Sequence, residues 1–396
     1  MRKLTSVLLV LALLMTGVVS ALASGPVVIK FAAQGDSTPA TQAAIDAYNA
    51  AQSAYKVEWT DMTNDSGAMR EQLITSLKAG SADYDVLSLD VVWAGEFAAA
   101  GYIEPLDMML DKAGLNPDDF NAGSMASGLY SGKQYVLPFF PDLGLLYFRK
   151  DIVSEEDAAK LTAGDYTWED LKGMAEAYMG QAGTVEGFVF QSALYEGLVC
   201  NANEFTANWT NLKGGLEAMK SFIDSKATPD NIMTYTEGET ANSFVKGESV
   251  FSRNWPYQWN EVKTNGTITI DQVGVAPLPG GSTVGGWLLA INKNSQNIEG
   301  AFDFIKFLNS PDGQLVLSQT YLPGNNAMLE DEAVIANNEL LSMEGFTNAM
   351  KTTIARPVSA EYSKVSDAIQ QAVHAYLNGT SAIEDAVAGV EAALAQ

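Results

Sequence analysis

Histidine and cysteine are almost missing from this 396-residue chain, which has His374 and Cys200 and no others. A single histidine excludes Ser-His-Asp triads and zinc sites built on two imidazoles. His374 also falls opposite the apolar stripe Val365–Ile369 of its helix, a place for a solvated side chain. A single cysteine excludes an internal disulfide, so the chain folds on its core alone. Basic residues are few as well: 23 Lys plus Arg stand against 48 Asp plus Glu, a net charge of −25. A field of that sign repels phosphate backbones and anionic bilayers, which argues against nucleic-acid or membrane-surface partners. No GxxxxGK[ST] loop occurs, no G-x-G-x-x-G follows a strand, and no cofactor is expected. DMTNDSG (61–67) resembles a calcium loop, but Ser66 replaces its turn glycine and Gln72 its bidentate glutamate.

What is present begins with an export signal. Arg2 and Lys3 precede an apolar run over 7–19, and Ala21-Leu22-Ala23 gives an A-x-A cleavage pattern before Ser24. The run is shorter than the ~20 residues of a membrane span, so residues 1–23 read as a cleaved signal peptide and the mature chain as periplasmic. No later segment is apolar enough to span, and removing Arg2 and Lys3 leaves 21 basic residues against 48 acidic ones.

About 370 residues exceed what one hydrophobic core usually holds, so two domains are expected. VVIKFA (27–32) reads as a buried strand, followed by a helix entered at Thr38-Pro39; 56–62 alternates like a strand, a helix starts near Ser66, and YDVLSLD (84–90) is a third strand. This rhythm predicts a parallel α/β sheet. LLYFRK (145–150), a helix capped at Thr167 and GFVFQ (187–191) start a second α/β unit, and no flexible linker separates the two. Lobes joined by several crossings with a hinged cleft between them follow. The expected division is 24–138 plus 270–311 for the first lobe and 139–269 plus 312–396 for the second.

FSRNWPYQWN (251–260) sets three aromatic rings around Pro256. Sugars offer hydroxyls at their edges and C–H patches on their faces, so a site for them needs flat apolar platforms beside planar hydrogen-bonding groups. Trp255 and Tyr257 suit the first need, while Trp259 is equally well read as core. Asp90 ends the third strand and Trp93 opens the next helix, at the carboxyl edge where open α/β sheets bind ligands. Asp142 lies at the change from one unit to the other, and Gly285 and Gly286 before Trp287 could admit a ligand close to the backbone.

Six segments then stand in a familiar order: LDVVWAGEFAAAGYIEPLD (89–107), LPFFPDLGLLYFRKD (137–151), YEGLVCNANEF (195–205), FSRNWPYQW (251–259), GGWLLAINKNSQNIEGAFDFIKFL (285–308) and ARPVSAEYSKVSDAIQ (355–370). Together they resemble the extracellular solute-binding proteins of family 1, the maltose-binding-like components of sugar ABC importers, and most of all their trehalose/maltose-binding branch. The resemblance implies a type II periplasmic binding protein, with two Rossmann-like lobes that close on a sugar. The sugar would pass to a membrane permease driven by an ATPase, and the binding protein would be a monomer. Carried over by motif, the ligand contacts are Asp90, Asp142, Trp255, Tyr257, Gly286, Trp287 and Arg356. Arg70, Asn201, Glu204 and Asp36 are further candidates from the same resemblance. The chain departs from the branch at Phe139-Phe140, where Trp-Tyr is usual, and in the GDSTP turn, which has Ser and Thr where an acidic residue is common.

Two other functions fit parts of the pattern. A secreted glycoside hydrolase could use two cleft carboxylates. A binder of betaine or polyamines could use the aromatics and acids as a cation cage, although Arg356 and Arg70 would repel such a ligand.

Overall fold

The structure is a computed structural model that describes residues 25–36, 38–357, 359 and 361–395. The signal peptide expected over 1–23 lies outside the described residues. Among the described residues no helix is long and apolar enough to cross a membrane.

The chain opens with β1 (Val27–Gln34), α1 (Ala40–Ala51), β2 (Tyr55–Met62), α2 (Ser66–Lys78) and β3 (Val86–Asp90). After several short helices come β4 (Val136–Leu143) and, one residue on, β5 (Leu145–Arg149). β6 (Glu186–Val189), α3 (Glu196–Phe205), β7 (Ser249–Asn254), α4 (Tyr257–Asn265) and β8 (Val273–Ala276) follow. β9 (Ser282–Ile291), α5 (Ile298–Leu308), α6 (Pro311–Leu317), β10 (Thr353–Ile354), α7 (Tyr362–Leu377) and α8 (Ile383–Leu394) complete the frame.

The buried run of β1, with Ile29, Phe31, Ala32 and Ala33 wholly buried, and the stripe Ala44–Ile45–Tyr48 of α1 make the first βαβ unit close on itself. β1 pairs in parallel with β2 and β3, as the sequence rhythm predicts. The sheet is nevertheless mixed, because β9 runs antiparallel to both β3 and β4. The second sheet, in the order β8-β5-β7-β6, is antiparallel except where β6 meets β7. Each sheet carries apolar clusters on both faces, such as Phe31, Phe139 and Phe304 on one side of the first and Leu73, Leu87 and Phe97 on the other. These are two lobes with separate cores.

The points of exchange differ from the expected ones. Residues 139–143 pair within the first sheet and 273–276 within the second. Helix α6 packs on α1, and the apolar clusters change lobes between Tyr321 and Leu322. The chain therefore passes between lobes at Gly144, over 277–281 and at 321–322, and β10 then pairs with the start of β9 before α7 and α8 join the second core. Passages of one to five residues carry no composition signal, which is why the expected boundaries fall about six to ten residues early.

Candidate functional site

The carboxyl edge of the first sheet faces the second lobe. Asp90, the last residue of β3, stands in register with Trp287 of β9, whose other neighbour is Phe140 of β4. Asp142, two residues on, is opposite Gly285. Asp142 thus belongs to the first lobe, whereas the expected division had put it, with 139–269, in the second. From the second lobe, β7 delivers Arg253 and Asn254, the chain turns at Trp255-Pro256, and Tyr257 starts α4.

Trp255 is half-buried and spans the two lobes. A Cβ on Gly285 would come within 2.8 Å of the indole Cζ3, so only a bare backbone lets the ring lie there. The indole Nε1 donates to Glu237 Oε1 at 3.3 Å, and the Tyr257 hydroxyl donates to the Glu237 carbonyl at 3.2 Å. The Tyr147 hydroxyl donates to the Trp255 carbonyl at 3.0 Å. Trp259, four residues further, is a core residue, 7 % exposed, and its Nε1 donates to Glu339. The segment thus divides its rings between interface and core.

Arg356 joins the lobes. Its Nη2 donates to Asp90 Oδ1 at 2.7 Å and its Nη1 to Glu196 Oε1 at 2.9 Å. Glu196, at the start of α3, also accepts from the Ser366 and Tyr362 hydroxyls of α7. Burial pushes the Glu196 carboxyl above its ordinary range; the Arg356 guanidinium opposes this and the Asp90 charge adds to it. The Arg356 Nε is buried with no partner among the described residues. The Asp142 carboxylate is half-buried. Burial drives its pKa well above the usual carboxylate range, with Arg253 pulling the other way and Asp90 reinforcing the rise. A buried guanidinium N–H without a partner is what a polar ligand would satisfy.

Several candidates have other duties. Glu204 is wholly buried in an ion pair with Arg253, and Asn201, 1 % exposed, donates to Gln191 and to the Gly197 carbonyl. Neither can reach a ligand, because helix α3 turns them into the second lobe. Trp93 is buried behind Trp287, ring edge to face with centroids 5.5 Å apart. The glycine pair serves packing rather than ligand approach: Gly285 is covered by Trp255, and Gly286 has φ +113° and a position where a Cβ would lie 2.5 Å from the Phe140 carbonyl oxygen. Gly286→Ala should cost about 1–3 kcal/mol from backbone conformation alone, read as a lower urea midpoint at unchanged slope.

Asp36 caps α1, its two carboxylate oxygens accepting the Thr38 and Thr41 N–H groups at 2.8 and 2.9 Å, a task the sequence had suggested for Thr38. Arg70 is tied to Glu96, which also accepts the Ser363 hydroxyl of α7 at 3.2 Å, so it forms a second bridge at the rim. Phe140 stacks flat on Tyr321, centroids 3.9 Å apart at 2°. Glu196, Glu237, Arg253 and Tyr321 were missed. Glu196 lies inside the quoted YEG segment, but Glu237 sits in a T-E-G-E capping pattern that reads as helix surface.

A cavity of about 480 Å³ lines the back of the passage at 277–281, bounded by Gly164, Pro277, Lys351 and Ile354. It contains none of the aromatics or carboxylates above. The interlobe seam is therefore the candidate site.

Two α/β lobes, short passages between them, and a seam of indoles, carboxylates and guanidinium define a cleft-type binding protein. Residues 34–315 match the family described as bacterial extracellular solute-binding protein, and the chain belongs to that family. A probable ABC transporter-binding protein of Deinococcus radiodurans is 31 % identical over 355 residues, 81 % of each chain. The maltotriose-binding protein of Pyrococcus abyssi is 26 % identical over 71 % of this chain and 63 % of its own. Among solved structures, maltose-bound MalE3 of T. maritima superposes with a TM-score of 0.83 at 32 % identity, covering 93 % of this chain and 99 % of the other.

Proposed function

We propose that this protein is the extracytoplasmic binding component of an ABC sugar importer, which holds a maltose-like di- or oligosaccharide between its lobes and hands it intact to a membrane permease. The observation that carries this reading is the seam itself: the half-buried Trp255 indole laid against Gly285, beside the half-buried Asp142. In this reading one face of Trp255 rests on Arg253 and the other receives a sugar ring, Trp287 and Tyr257 add platforms, and Asp90, Asp142 and Arg356 bond hydroxyls. Relatives that bind maltose or maltotriose support the same ligand class. The sugar would draw the lobes together because its contacts are divided between them, and the closed form would be what a permease recognises.

A thermal melt with maltose, trehalose and maltotriose tests the proposal. A true ligand at a hundredfold excess over its Kd should stabilise by about 2.7 kcal/mol, and chromatography should recover the sugar uncleaved. Betaine and spermidine should leave the melt unchanged. No response to any carbohydrate would end the proposal, and release of glucose would replace it with a hydrolase.

A further inference from the structure

Glu204 and Arg253 are both wholly buried and meet as a two-pronged ion pair, Nε to Oε2 at 2.8 Å and Nη2 to Oε1 at 2.5 Å. Three segments that pass between the lobes converge on this pair or on its helix neighbour. At the first, Gly144 leaves room for it: a Cβ there would lie 2.1 Å from Glu204 Oε1 and 2.5 Å from Arg253 Nη2. At the second, Glu204 Oε1 accepts the Thr283 N–H at 3.1 Å, and a Cβ on Gly280 would come within 1.7 Å of the Glu204 carbonyl oxygen. At the third, where the chain leaves β10 for the second lobe, Asn203 Nδ2 donates to the Ala355 carbonyl at 3.1 Å and also reaches Thr283 Oγ1 at 3.2 Å. The Thr283 hydroxyl in turn donates to the Cys200 carbonyl of the same helix.

The far side of the pair faces the seam. The Arg253 guanidinium carbon stands 4.1 Å from the centroid of the Trp255 ring. Gln191 holds Arg253 from the remaining direction, accepting from its Nη1 and donating to its carbonyl. A wholly buried ion pair adds little net stability, because desolvation offsets the attraction. What a two-pronged guanidinium–carboxylate contact supplies is fixed direction.

We propose that Glu204 and Arg253 are positioning residues for lobe closure: they fix the pivot on which the passing segments turn and, through the Trp255 ring stacked on Arg253, set how that ring meets a ligand. The second half of this statement rests on the ligand-trap reading above; the first does not.

The test uses spin labels on the full mature chain at Met108→Cys in the first lobe and Val185→Cys in the second, both well exposed. Cys200 is buried and stays unlabelled. Interlobe distances are compared between the native pair and Glu204→Leu/Arg253→Met, an apolar replacement of similar bulk that such sites commonly accept. The double variant should still melt cooperatively yet give a visibly broader distance distribution without sugar, and about a tenfold or larger loss of maltose affinity. A distribution superimposable on that of the native pair overturns the proposal. Should the double variant not fold, Arg253→Lys is read instead, since it keeps the charge and loses both fork and stack: broadening supports the pivot, and a native-like width overturns it. If the native chain binds no sugar, the sugar reading falls while the distance measurement still decides the role of the pair.

Discussion

Trp255→Ala should weaken sugar binding by about 30- to 1000-fold, the effect of removing an aromatic hot spot worth about 2–4 kcal/mol, while the unliganded protein remains nearly as stable. The unliganded cost is small because the ring is only half-buried and gives up one cation–π contact with Arg253 and one indole hydrogen bond to Glu237. At roughly 1 kcal/mol, that lowers the melting temperature by no more than about 2 °C in a chain of this length. Trp259→Ala is the control. That ring is core, packed with Leu145, Tyr147 and Leu340, and its truncation should cost about 3–5 kcal/mol. Its binding constant, measured on the fraction that remains folded, should stay near that of the native chain. Calorimetric titration and a melt on each variant separate the two tryptophans. Equal losses of unliganded stability would make Trp255 a core residue and remove the platform from the proposed site.

How far the sequence reached depends on how local each feature is. The β1-α1-β2 unit was legible because its signals, a buried strand run and an apolar helix stripe, lie within a few positions of each other. Strand direction in the second sheet was not, because antiparallel pairing of β5 with β7 joins residues about a hundred positions apart. The site shows the same division. Asp90 could be placed at the carboxyl edge because it ends a recognisable strand, whereas Trp287, expected near the start of its strand, lies inside β9. Glu196 and Glu204, by contrast, share one short helix and one quoted segment, and nothing local separates them. What separates them is which arginine each meets: Arg356 reaches Glu196 at the seam, and Arg253 holds Glu204 at the pivot. Those partners come from distant turns of the chain, so the role of each acid is decided only when the lobes assemble.

Arg356→Met should combine a large loss of binding with a loss of stability that depends on pH. The side chain is 3 % exposed and is the cation between Asp90 and Glu196. Removing it leaves two carboxylates near each other in a poorly solvated gap, a change that costs about 3–5 kcal/mol when one member of a buried ionic group is deleted. The sign of the pH effect follows from Glu196. Burial already holds its carboxyl above the ordinary value and Arg356 restrains the rise, so without Arg356 it moves higher still. A carboxyl whose folded pKa exceeds its unfolded value binds more protons in the native state. Its contribution is most favourable below the unfolded value, about 4.3, and is lost as pH climbs through the folded one. The deficit of Arg356→Met against the native chain should therefore be larger near pH 7.5 than near pH 5. Urea melts at the two pH values measure it. Arg356→Lys keeps the charge without the two-pronged reach and should fall between the two chains in stability. A deficit of the same size at both pH values would mean that Glu196 is not the group left exposed to burial.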